Sequence, residues 1–142
     1  VHFVTGGAFN GKSEWVKKQY HLDDLEHSWY SAYKGDEIPE LTDKQIIVLE
    51  GIEVWIRQMV QNIQADVCRQ EWLSISQKWM KWESGDQQRK IVLIGSDISK
   101  GIVPMAAKDR VWRDTTGWVY QDLVLRADRV DMIWYGICQK LK

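Results

Sequence analysis

The chain has 142 residues, 44% of them hydrophobic and 27% charged, which suits one globular domain with a core of its own. Nineteen Lys and Arg against 20 Asp and Glu leave a formal net charge of −1; this argues against a nonspecific nucleic-acid binder, which carries a basic excess, but leaves room for a local basic cluster. Two cysteines, Cys68 and Cys138, cannot make a disulfide framework or a four-cysteine zinc site, no apolar run approaches the roughly 20 residues of a membrane span, and residues 1–5 lack the basic and long apolar regions of a secretory signal, so the reading is a cytoplasmic protein with reduced thiols.

A first strand is predicted over residues 1–5 and ends at the glycine-rich stretch from Gly6 to Gly11. A helix follows over 12–20, with Trp15, Val16, Gln19 and Tyr20 on one face. Residues 21–45 are polar and irregular, with a short strand at 27–33 and a turn at Lys34-Gly35-Asp36-Glu37. The apolar run 46–49 suits a parallel strand buried on both faces and ends in Glu50-Gly51. Residues 53–83 have helical period in two stripes whose register slips near Arg69, which predicts two helices or one bent one. A second buried strand is placed at 91–94, a loop at 95–104 and a helix at 106–126 with Trp112, Val119 and Leu123 inward. A last strand at 130–135 turns at Gly136 into a short tail, 137–141. The nine tryptophans are scattered and read mostly as core or interface packing. Alternating strands and helices predict an α/β domain with a mostly parallel sheet, spanning residues 1–142.

Gly6-x-x-x-x-Gly11-Lys12-Ser13 has the spacing of a phosphate-binding loop. The glycines let backbone N–H groups turn inward around phosphate oxygens, and the helix starting near Lys12 adds its positive end. Lys12 can reach the β and γ phosphates, and the Ser13 hydroxyl can ligate Mg2+. A chance match in a glycine-rich turn is the alternative, but the preceding strand and following helix are the context the motif requires. The nucleotide site is therefore assigned to Gly6, Gly7, Ala8, Phe9, Asn10, Gly11, Lys12, Ser13 and Glu50. Glu50, at the tip of the run 46–49, suits the second acid that holds Mg2+ beside Ser13, because ligands of open α/β sheets sit at the carboxyl ends of strands. A solvated glutamate opening the next helix is its alternative. Asp97, just past 91–94, has the same kind of position, with a turn or helix-cap role as its alternative. Arg110 and Arg113 share a helix face and can clamp a phosphate, or they form a solvated face with Asp114.

Together these segments resemble the adenosylcobinamide kinase / adenosylcobinamide-phosphate guanylyltransferase family of cobalamin biosynthesis. The resemblance rests on the run from Phe3 to Ala8 with Gly11-Lys12-Ser13, on Glu50, on Gly101-Ile102-Val103-Pro104, and on Arg110, Arg113-Asp114, Gly117 and Gln121. Asp97 stands where the family has a glutamate, and Tyr33 where it has a glutamate that helps hold the nucleotide. The resemblance covers the first helix and its loop, then the chain from the run 46–49 onward. Between these parts the family has a longer segment carrying the histidine that becomes guanylylated, and no such role passes to His2, His21 or His27.

The resemblance implies a RecA-like P-loop fold, a mostly parallel sheet flanked by helices with an antiparallel strand near the end. It implies ATP or GTP as co-substrate with Mg2+, phosphoryl transfer to adenosylcobinamide, and assembly into a homo-oligomer, a trimer in the family. Lys12 and Asp97 are then the catalytic candidates, Lys12 to stabilise charge and Asp97 to orient the acceptor hydroxyl, with Ser13 and Glu50 on the metal. The shortened middle predicts that guanylyl transfer is lost. The other reading is a nucleotide-binding remnant with a regulatory or assembly role in the same pathway.

Overall fold

Runs of β-branched and aliphatic residues without alternation, Ile46-Ile47-Val48-Leu49 and Ile91-Val92-Leu93-Ile94, form strands that are buried on both faces in the computed structural model, which describes residues 1–99 and 106–142. In chain order the elements are β1 (His2–Gly6), α1 (Lys12–Gln19), β2 (His27–Ser31), a 3-10 turn (Ala32–Lys34), β3 (Ile46–Glu50), α2 (Ile52–Val60), α3 (Ala65–Ser84), β4 (Lys90–Ser96), α4 (Ala107–Arg126), β5 (Arg129–Trp134) and β6 (Ile137–Lys140). The sheet order is β2-β3-β4-β1-β5-β6. β1 to β5 run parallel, and β6 pairs antiparallel with β5. This is the RecA-like order of a P-loop fold.

The pleat divides the core in two. Phe3, Ile47, Leu49, Ile91 and Leu93 face α2, α3 and α4, where Trp55, Trp72 and Trp79 are buried. Val4, Val48, Val92 and Ile94 face the other way and pack with Val16 of α1. Of the remaining tryptophans, Trp118 and Trp134 are exposed.

Three expectations are corrected in detail. The break in the long helical region falls at residues 61–64, between α2 and α3, and not near Arg69. Arg69 interrupts the apolar stripe because it pairs with Asp122 of α4, Nε to Oδ2 at 2.8 Å and Nη2 to Oδ1 at 2.9 Å. The predicted strand at 27–33 stops at Ser31 and tightens into the 3-10 turn, closed by Gly35. The tail after Gly136 is strand β6, whose pairing with β5 rescues backbone groups that a free tail would leave to water.

At the N-terminal end of the sheet, His2 is fully buried between β5 and α1. Its Nε2 lies 2.6 Å from Asp131 Oδ2, and its Nδ1 bonds the Tyr20 hydroxyl. Asp131 also accepts from Arg129 Nε at 2.7 Å and from the Cys138 thiol at 3.0 Å. Burial works against the Asp131 charge, but these three donors hold its carboxyl below the usual range. For His2 burial outweighs the pull of Asp131 and lowers the pKa, so the ring is neutral, with Nε2–H donating to Asp131 and Nδ1 accepting from Tyr20. The sign follows: near pH 6.5 the unfolded chain takes a proton on His2 that the folded chain refuses, so stability falls as pH drops through that value. We expect urea unfolding between pH 7.5 and 5.5 to lose stability by up to about 1.4 kcal/mol per pH unit from this group. His2→Gln should flatten that slope, and a variant with the wild-type slope would show that His2 is not its source.

Candidate active site

The carboxyl ends of β1, β3 and β4 gather at one edge of the sheet, with Gly6 opposite Ser96 and Glu50 two residues short of it, opposite Ile94. β4 separates the other two strands, so the loop and Glu50 meet across it rather than side by side. Gly6 leaves the strand at φ +142°, and a Cβ there would stand 2.2 Å from the Ile133 carbonyl oxygen; only glycine lets the loop start this close to β5. Phe9 at the loop tip has φ +61° and a fully exposed ring. The loop is held through its carbonyls: Gly6 O accepts from Asp97 N at 2.9 Å, Gly7 O from Lys12 Nζ at 2.8 Å and Asn10 O from Gly136 N at 2.8 Å. α1 then begins with no side-chain cap, which leaves its first-turn N–H groups toward the cleft.

Lys12 is buried to 8% exposure. Burial lowers its pKa, and the charges of Glu53 and then Glu50 pull it back up. The Ser13 hydroxyl donates to the Glu50 carboxylate, whose other oxygen accepts from Ser31 Oγ at 2.7 Å. Loop residues 8–14 with Tyr33, Glu50, Ile94 and Ser96 enclose a cleft of about 550 Å3.

A second carboxylate stands behind this cleft, and the sequence reading did not single it out. Glu53, in the first turn of α2, is 4% exposed. One oxygen accepts from the Tyr33 hydroxyl and the other from Ser96 N at 3.0 Å. An acid in a first helical turn reads from sequence as a dipole partner in solvent, so its role shows only once β4 and the 3-10 turn close over it. Ser31 and Ser96 are likewise invisible as single polar residues at strand ends.

Asp97 does not line the cleft. It lines an adjoining cavity of about 540 Å3 between β1 and α4, with Phe3, Thr5, Arg113, Tyr120 and Leu125. Its carboxylate accepts from Ser99 N at 2.9 Å, a turn bond of the kind weighed as its alternative. Arg113 pairs with Asp114 at 3.1 Å. The Gly101 to Pro104 motif lies outside the described residues.

The family of cobinamide kinase / cobinamide phosphate guanyltransferase matches this chain over residues 19–141. The chain belongs to that family. The match runs through residues 21–45, where the sequence resemblance had stopped, and begins after the glycine-rich loop at residues 6–13. The bifunctional adenosylcobalamin biosynthesis protein CobU of Escherichia coli (strain K12) is 24% identical over 135 residues, which are 89% of this chain and 68% of that protein. Membership in the cobinamide kinase family places the chain in cobalamin biosynthesis. None of its three histidines lines the cleft: His2 and His27 open β1 and β2 at the far end of the sheet, and His21 follows α1. No helix among the described residues is long and apolar enough to cross a membrane.

The donor set at Ser13 and Glu50 fits Mg2+. Both are hard oxygens, they already converge within hydrogen-bond reach, and they sit at the uncapped start of α1 where phosphates would supply further oxygens. Glu50→Gln keeps the shape and removes the charge. We expect its triphosphate affinity to become less dependent on Mg2+ by titration calorimetry with and without the ion; wild-type dependence would leave Glu50 as a structural anchor for Ser13 and Ser31.

Proposed function

We propose that this chain is a Mg2+-dependent kinase that transfers the γ-phosphoryl group of ATP or GTP to the hydroxyl of adenosylcobinamide. The observation that carries this reading is the Ser13–Glu50 hydrogen bond beside the buried Lys12 at the uncapped start of α1. The acceptor is suggested by the cobinamide kinase family and by the E. coli relative, a protein of adenosylcobalamin biosynthesis.

Phosphoryl transfer depends on positioning and charge stabilisation more than on covalent chemistry. The loop amides and the first turn of α1 grip the phosphates. Lys12 exchanges its bond to Gly7 O for the transferring phosphoryl oxygens. Ser13 and Glu50 would hold Mg2+, which when bound offsets the phosphate charge. The adjoining apolar cavity offers the acceptor a seat, and Asp97, one residue from Ser96 of the cleft, is the candidate to orient its hydroxyl. Exposed Trp118, Trp134 and Ile137 on α4 and the β5–β6 edge support self-association, the trimeric state of the resembled family. Guanylyl transfer through a histidine needs near-attack contact with the α-phosphate, which the positions of His2, His21 and His27 do not support.

A coupled assay with adenosylcobinamide and either nucleotide tests the reading. We expect turnover in the wild type and none in Lys12→Ala. Charge-assisted hydrogen bonds are worth about 1.5–3 kcal/mol, so the variant should bind triphosphate about tenfold or more weakly while unfolding as the wild type does. Nucleotide binding without turnover would favour the remnant reading; unchanged affinity in Lys12→Ala would remove the phosphate-loop assignment. Incubation with α-labelled GTP and Mg2+ should leave no acid-labile, base-stable label on the protein. Label that vanishes in His27→Asn would show a rebuilt transferase site.

A further inference from the structure

Glu53 is nearly inaccessible, yet it lies close enough to Lys12 to be the largest charge acting on that ammonium. Its two oxygens are spoken for from different directions. Ser96 N–H, at the carboxyl end of β4, fixes one at 3.0 Å; the Tyr33 hydroxyl donates to the other. The Tyr33 ring is half exposed and forms a wall of the phosphate cleft, with its hydroxyl turned inward. Glu53 thus communicates with the cleft through the Tyr33 hydroxyl. The 3-10 turn that carries Tyr33 can lie this deep because residue 51 is glycine, at φ +92°: a Cβ there would stand 3.0 Å from Ala32 Cβ and 3.4 Å from Tyr33 Cε2.

We propose that Tyr33 and Glu53 form a proton relay for the acceptor alcohol of the transferred phosphoryl group. The inference rests on the kinase reading above. The alcohol hydroxyl donates to the Tyr33 phenol oxygen as the Tyr33 proton passes to a Glu53 carboxylate oxygen. The alcohol oxygen forms the new bond to the γ-phosphorus, and the bond from that phosphorus to the β–γ bridging oxygen breaks. The nucleoside diphosphate leaves with that electron pair, and the proton on Glu53 returns through Tyr33 to water after product release. Burial and the Glu53 carboxylate both raise the Tyr33 pKa, so the phenol carries its proton into the reaction and works as a relay, not as a phenolate base. Glu53 has charged and titratable neighbours on every side that packs against it: Lys12 of α1, Tyr33 of the 3-10 turn and Tyr120 of α4. Tyr33 is the one of these that both bonds Glu53 and lines the cleft.

The test compares Tyr33→Phe, Glu53→Gln and the double variant of the full chain in transfer from MgATP to adenosylcobinamide. General acid–base assistance contributes about 10²–10⁴-fold, so kcat should fall about a hundredfold or more in each single variant, with the KM for MgATP held within about twofold. Two parts of one relay act as a unit, so the double variant should be no slower than the worse single one. Tyr33→Phe keeps the ring packing and decides the matter should Glu53→Gln fail to fold. Wild-type kcat in Tyr33→Phe, or losses that multiply in the double variant, would overturn the relay and leave the kinase reading standing. A wild type that transfers nothing to the alcohol would overturn the kinase reading and the relay with it.

Discussion

The Ser13 hydroxyl reaches the Glu50 carboxylate across an intervening strand, and most of the site's geometry follows from that reach. β1 and β3 are not neighbours, so the contact depends on the register of each against β4, where Gly6 stands opposite Ser96 and Glu50 two residues earlier, opposite Ile94. Fully buried apolar residues in β3 and β4 hold that register, because a slip of one residue would turn every side chain, Glu50 included, to the opposite face. Gly6 then takes the loop out beside Ile133 where no side chain fits, and α1 starts immediately after the loop with no cap of its own. A rigid sheet thereby sets the position of a hydroxyl, a carboxylate and a helix end at once.

Charge is the reason the proposed nucleotide site would call for a cation. Lys12 faces two carboxylates, Glu50 and Glu53, in a half-enclosed cleft. A triphosphate entering there meets one positive side chain and two negative ones, in surroundings where like charges repel far more than in water. The helix N-terminus offsets part of this, typically by less than about 2 kcal/mol. A divalent ion held by Glu50 would remove the remaining conflict. Glu53 escapes it differently, by being tied to Tyr33 and Ser96 on the far wall.

The strands and the glycine-rich loop between β1 and α1 were legible because their signals are local. Apolar runs that end in a glycine or an acid name buried parallel strands, and Gly6, Gly11, Lys12 and Ser13 keep a fixed spacing. Glu50 was legible for the same reason, as the residue at a strand tip. Glu53 and Tyr33 were not, since what brings them together is the closing of a 3-10 turn over Gly51, a tertiary event. Arg69 misled in the same way: a charge in an apolar stripe reads as a break until its partner Asp122 arrives from another helix. Asp97 and Glu50 looked equivalent from sequence, both just past buried strands, yet they line different cavities because Asp97 comes one residue beyond Ser96 and turns toward α4.

The central claim is that Lys12, Ser13 and Glu50 form one seat for a Mg2+-bound triphosphate. A crystal structure of the protein with Mg2+ and a non-hydrolysable ATP or GTP analogue tests it most directly. The phosphates are expected to be wrapped by residues 6–13, with the ion between them and the Ser13 and Glu50 oxygens. Phosphates bound elsewhere, or an ion seated away from both side chains, would contradict it.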